Sequence, residues 1–144
     1  VPQKNDYHIY NICLAGLAMV EKINELSKTR TMACGGYWQV RIGIHIGDIV
    51  AGVIGEHKFS YDIWGDTVNT SSRMESSGVA GEVNISHELK VKVEDFFHLE
   101  SRGEKDAKNK GKLKMYLLKG LKEKYKTEPL SAIMRSIKKK EEIV

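Results

Sequence analysis

The chain has 144 residues, 41% of them hydrophobic and 29% charged, and carries a net charge of +4. That length and balance fit one ordinary soluble globular domain with a proper core, and are too little for two. No apolar run approaches the roughly 20 residues of a membrane span, and no basic-plus-apolar leader opens the chain.

Asn5-Asp6 precede a helical stretch from about His8 to Lys28. Ile9, Ile12, Cys13, Leu17, Val20 and Ile23 give it a broad apolar face, and Glu21, Lys22 and Glu25 a wet one. Residues 32–37 read as a loop. Val40, Ile42, Ile44 and Ile46 then alternate with Arg41, Gly43, His45 and Gly47, the period of a strand buried on one side. Glycines 43, 47, 52 and 55 are many for strands; such glycines mark a bend, bulge or close backbone approach, and a strongly bent strand is the preferred reading over direct ligand contact. Ile49 to Ile54 and Phe59 to Trp64 form a β-hairpin around the turn at 55–58.

A helix is expected from Asp66, as its N-cap, to about Ser77, with Gly78 as the stop. Val83 to Ile85 is a short strand, and Ser86 caps a helix running to about Asp95. Phe97 to Ser101 and Leu113 to Leu118 make a final strand pair, with Arg102 to Gly111 as a polar loop between them. The tail after Pro129 has helical spacing at Leu130, Ile133, Met134 and Ile137.

Cys13 reads as a small core residue, and Cys13 with Cys34 makes neither a disulfide framework nor a metal knuckle. A reducing cytoplasmic setting follows as the default. The scattered histidines include no His-x-x-x-His pair, so no zinc site is assigned. Lysines 105, 108, 110, 112, 114, 119, 122, 124 and 126 crowd the C-terminal half. Without interleaved aromatics or an RNA motif they read as a solvated face, with one or two available to hold phosphate, and not as a nucleic-acid surface.

The densest chemistry lies in Tyr61-Asp62-Ile63-Trp64-Gly65-Asp66-Thr67-Val68-Asn69-Thr70-Ser71-Ser72-Arg73-Met74. Asn69 and Arg73 stand one turn apart on a helix face and offer an amide and a guanidinium suited to a phosphate. Spacing alone divides that reading evenly with a capped amphipathic helix whose polar groups face solvent. Asp62, just before the turn, is placed to accept from a base or a sugar.

This run resembles the signature of the class III nucleotidyl cyclases, the adenylate and guanylate cyclases. The similarity extends upstream over Arg41 to Gly55 and downstream through Met74-Glu75-Ser76-Ser77-Gly78 to Lys108-Asn109-Lys110-Gly111. Matching blocks in the right order are more specific than any one of them. The resemblance implies an α+β, two-layer ferredoxin-like cyclase fold lacking its N-terminal part, with residues 1–121 in the catalytic domain and 122–144 a charged tail. It implies conversion of ATP to 3′,5′-cyclic AMP and pyrophosphate. Asp62 would read the adenine amino group, Asn69 would orient the ribose, and Arg73 would stabilise the phosphoryl group in transfer. Lys110 would bind the triphosphate, with Lys108 and Lys112 as alternatives because the family's Lys-Gly-Lys-Gly pattern is altered here.

Two Mg²⁺ or Mn²⁺ ions are implied, but the family's metal-binding aspartates lie upstream of Val1. The chain alone is therefore expected to be inactive, and the intact protein to work as a homodimer whose sites span two copies. Membrane attachment would come only through other parts of the protein. A guanylate or dual-specificity cyclase, and a regulatory nucleotide-binding pseudo-cyclase, are the alternatives. A lysine-rich RNA-binding module stands behind them.

Overall fold

The computed structural model describes residues 7–29, 38–56, 58–107 and 110–126. The expected loop at 32–37, Lys108, and the helical spacing after Pro129 lie outside them. The first helix, α1 (His8–Thr29), matches its predicted span and seats Cys13 in the core. Burial pushes the Cys13 thiol up to about 12, so it stays protonated and behaves as an apolar group.

Strands β1 (Ile42–Ile44), β4 (Val83–Ser86), β6 (Gly111–Leu121) and β5 (Phe97–Ala107) form a four-stranded sheet in that spatial order. β1 pairs with β4 in parallel, and the other two pairings are antiparallel. A separate hairpin joins β2 (Val50–Ile54) to β3 (Ser60–Trp64), with Gly52 opposite Asp62. Helices α2 (Asp66–Ser76) and α3 (His87–Val93) follow the hairpin and β4, and a short α4 (Glu123–Lys126) seats Tyr125 against Phe96. The mixed α+β class is as expected.

All four residues of β4 are buried, because both of its faces are covered. Val83 and Ile85 join Cys13, Leu89, Val93, Phe97 and Leu118 in the main core under α1 and α3. Successive side chains alternate across a strand, so Asn84 and Ser86 face the other way. There Asn84 meets the last turn of α2 and Met115. Gly43 of β1 permits the same approach. A β-carbon at 43 would lie 2.0 Å from the backbone nitrogen of Glu75, so backbone packs on backbone where any side chain would intervene. The glycine-rich strand is thus explained less by a bend than by helix contact. A β-carbon at Gly47 would likewise sit 2.5 Å from Thr67 Oγ1.

One prediction is corrected. The polar stretch expected as a loop over 102–111 is mostly strand, since β5 runs on to Ala107 and β6 begins at Gly111. Glu104 opposes Lys114 and Asp106 opposes Lys112, so opposite charges pair across two solvent-facing strands with no apolar alternation to announce them.

Candidate active site

The functional candidates gather around α2. The chain enters this helix from β3 through Gly65, whose φ of 129° lies where a side chain is disfavoured. Gly65 is the N-cap, which corrects the expected role of Asp66. Asp66 is instead the first helical residue, and its carboxylate pairs with the ammonium of Lys110. Thr67 Oγ donates to the Asp48 carbonyl at 2.7 Å and ties the helix start to the segment leading into the hairpin.

At about 100° per residue, Asp66, Asn69 and Arg73 share one face of α2. Asn69 is exposed and Arg73 half-buried, while Thr70 and Met74 supply the buried face. Lys110 closes the turn between β5 and β6, its amide donating to the Ala107 carbonyl at 2.9 Å. Its pairing with Asp66 brings that turn to the N-terminal end of the face carrying Asn69 and Arg73. Glu75, two residues on and so turned away from Arg73, is engaged by Arg41 at 3.1 Å. Asp62 is exposed on β3, and one carboxylate oxygen accepts from the Ile63 amide at 2.8 Å.

Sequence reasoning passed over His45. It follows β1, its side chain is 10% exposed, and its Nδ1 lies 2.8 Å from Ser86 Oγ. Ser86 Oγ also accepts from the Leu89 amide at 3.4 Å as the cap of α3, and its side chain hydrogen-bonds the Glu88 carboxylate as well. Burial is the main reason the His45 pKa falls below its ordinary value. Lys110 pushes the same way, and Glu88 at 3.7 Å opposes without prevailing. The lowered pKa favours the neutral ring, hydrogen-bonded to Ser86 through Nδ1. The visible signal was a histidine on the non-apolar side of an alternating strand.

Among the described residues, no group of three or more His, Cys, Asp or Glu side chains converges to hold a metal ion. No helix among them is long and apolar enough to cross a membrane. β2 and β3 expose Val50, Val53, Ile54, Tyr61 and Ile63, with Phe59 beside them 75% exposed. On a hairpin that lies outside the main sheet, this is an apolar surface without cover from the rest of the described chain.

The family model described as "Adenylate and Guanylate cyclase catalytic domain" matches residues 1–120. An adenylate cyclase of Mycobacterium tuberculosis is 34% identical over 122 residues, covering 85% of this chain and 27% of that protein. A membrane guanylyl cyclase of Dictyostelium discoideum is 42% identical over 83 residues, covering 58% of this chain and 6% of its own length. The chain thus spans about a quarter or less of these relatives. Among solved structures, the guanylate cyclase domain of RhGC from Catenaria anguillulae, in complex with GTP, superposes with a TM-score of 0.75 at 32% identity. The match covers 85% of this chain and 65% of that one. The adenylyl cyclase CyaB from P. aeruginosa matches with a TM-score of 0.70 at 25% identity, over 80% of this chain and 60% of its own.

Proposed function

Because the chain belongs to the adenylate and guanylate cyclase catalytic-domain family, we propose that it supplies the base-reading and phosphate-handling half of an adenylate cyclase site. The observation that carries this is the convergence of Lys110 on the α2 face that bears Asn69 and Arg73. Cyclisation joins the ribose 3′ oxygen to the α-phosphorus and expels pyrophosphate, so charge grows on the phosphoryl oxygens. Arg73 answers that charge with a planar, permanently protonated guanidinium. Asn69, one turn earlier, holds the ribose so that attack is in line, and Lys110 leaves Asp66 for the triphosphate.

Asp62 selects the base. A carboxylate accepts from the exocyclic amine of adenine and meets an acceptor at the same position of guanine. Among the described residues no group of three or more His, Cys, Asp or Glu converges to hold the divalent ions that cyclases use, and the steps above concern this chain's own side chains. The exposed apolar hairpin suits a second copy of the catalytic domain, which would complete the site.

A guanylate cyclase is the second reading, favoured by the similarity to guanylate cyclases along with adenylate cyclases. Turnover of ATP and GTP in competition by the complete protein separates the two. Preference for ATP, eroded by at least tenfold in Asp62→Cys, is the outcome expected of a base edge read by hydrogen bonding. Equal or greater GTP turnover by the unaltered protein overturns the adenylate assignment.

A further inference from the structure

The C-terminal end of α2 is held by a polar network that the chemistry above does not use. Asn84 on β4 is fully buried. Its Nδ2 donates to the Met74 carbonyl at 2.8 Å and lies 3.3 Å from Met115 Sδ. Its Oδ1 accepts from Arg102 Nη1 at 3.1 Å, and the same nitrogen donates to the Ser77 carbonyl at 2.7 Å. The Met74 and Ser77 carbonyls belong to the helix end, where intrahelical donors run out. A cation there also answers the negative end of the helix dipole.

β5 is shaped to deliver that cation. Its pairing passes from Ser101 opposite Tyr116 to Glu104 opposite Lys114, so Arg102 and Gly103 together face Met115 alone. This is a β-bulge, and Gly103 takes the φ of 68° that it needs, its amide held by Ser101 Oγ at 3.3 Å. Arg102 is consequently half-buried between two exposed neighbours.

We propose that Arg102 and Asn84 are positioning residues for cyclisation, which clamp the last turn of α2 and so fix where Asn69 and Arg73 point. The proposal rests on the roles assigned above to those two side chains. The clamp and Lys110 sit on one β5–β6 hairpin, which therefore grips α2 at both ends: Asp66 at the start, Ser77 at the finish. A rotation that displaces Arg73 by about 1 Å is enough to cost roughly 100-fold in rate. A network serving stability alone predicts instead that activity follows the folded fraction.

The test compares Arg102→Met with Arg102→Lys in the complete protein, assayed below the unfolding temperature of the weaker variant. A lysine ammonium can reach two acceptors from one nitrogen, as Nη1 does, whereas methionine fills the space without a donor. The expected result is a kcat lower by about 10- to 100-fold in Arg102→Met, with KM within roughly threefold, and recovery of most of kcat in Arg102→Lys. Hydrogen exchange over residues 66–77 is expected to quicken in the methionine variant and not in β4. Unchanged kcat in folded Arg102→Met overturns the proposal, as does a lysine variant that regains stability without regaining kcat. Should Arg102→Met not fold, Gly103→Ala disturbs the bulge from a position with open space around the added carbon. It is expected to show the same loss in milder form, and an unaltered kcat there overturns the clamp. If the unaltered protein makes no cyclic nucleotide, the cyclase reading fails, and the clamp is decided by exchange alone, with unchanged exchange over 66–77 counting against it.

Discussion

The ammonium of Lys110 meets the carboxylate of Asp66, so the turn between β5 and β6 is anchored to the first residue of α2. The Lys110 side chain is 21% exposed and that of Asp66 78%. With the carboxylate this open to water the pair adds little stability, less than about 1 kcal/mol. Its effect is on anions, because the carboxylate occupies the place on Lys110 that a phosphate would take. Asp66→Asn is expected to tighten pyrophosphate binding by a few-fold at low salt, and Lys110→Met to weaken it, with both effects shrinking as salt rises. Calorimetric titration at two salt concentrations checks this, and weaker binding by Asp66→Asn would contradict the competition.

Arg73 is expected to act on the transition state more than on the bound nucleotide. Arg73→Ala in the complete protein should lower kcat by on the order of 10³ with a much smaller change in KM. Arg73→Lys should recover little, since an ammonium cannot reproduce the planar fork. Steady-state kinetics that place the loss in KM would reassign Arg73 to ground-state binding.

Gly43 and Gly103 make opposed predictions about the same substitution. A β-carbon at 43 runs into the backbone of Met74 and Glu75, at 2.5 and 2.0 Å, and neither can turn aside as a side chain can. Gly43→Ala should cost about 3 kcal/mol or more. Around Gly103 there is open space, and only the φ of 68° is unfavourable to alanine, so Gly103→Ala should cost about 1 kcal/mol. Urea denaturation of both variants gives the comparison, and equal costs would mean that α2 does not press on β1 as closely as described.

How much of this was legible depended on whether burial left a pattern. α1, the hairpin and α2 announced themselves through apolar periodicity and turn residues, and their observed limits fall within a residue or two of the expected ones. The far halves of β5 and β6 did not, because water on both faces removes the alternation that identifies a strand. Asp66 looked like a helix cap since its sequence position allows it, but its partner is 44 residues away. Arg102 gave only one hint, a glycine directly after it, and it opened a stretch that reads from sequence as a polar loop. Long-range partners of polar residues are set by the fold, and no local spacing encodes them.

His45 makes stability depend on pH in a window its neighbours set. Facing it are Ser86 and Glu88 from the β4–α3 junction and Lys110 from the β5–β6 turn. Its folded pKa is lowered, mainly by burial, so the unfolded chain binds a proton that the folded protein resists. The stabilisation is therefore full above the ordinary histidine value of about 6.5 and is lost as pH falls through the folded value. His45→Gln should lose stability at pH 8 and show a flatter decline below about pH 6.5 than the unaltered protein. Denaturation midpoints across that range report the slope, and parallel curves would remove His45 as the source.

The hairpin bears on assembly. Val53 pairs with Tyr61 on one face of it, and both are more than 60% exposed. Surface of this kind on an extension of the fold is costly in water and gains by meeting a second copy. Val53→Lys combined with Tyr61→Glu replaces the apolar pair with opposite charges across the same rung, so the hairpin keeps a favourable cross-strand contact. The expected outcome is a shift from dimer to monomer in sedimentation velocity, with an unfolding temperature close to that of the unaltered chain. Cyclase activity of the complete protein should fall with it and become steeply dependent on protein concentration, since a site completed by a second copy is diluted as that copy leaves. A variant that stays dimeric with full activity would show that the Val53–Tyr61 face is not where the copies meet.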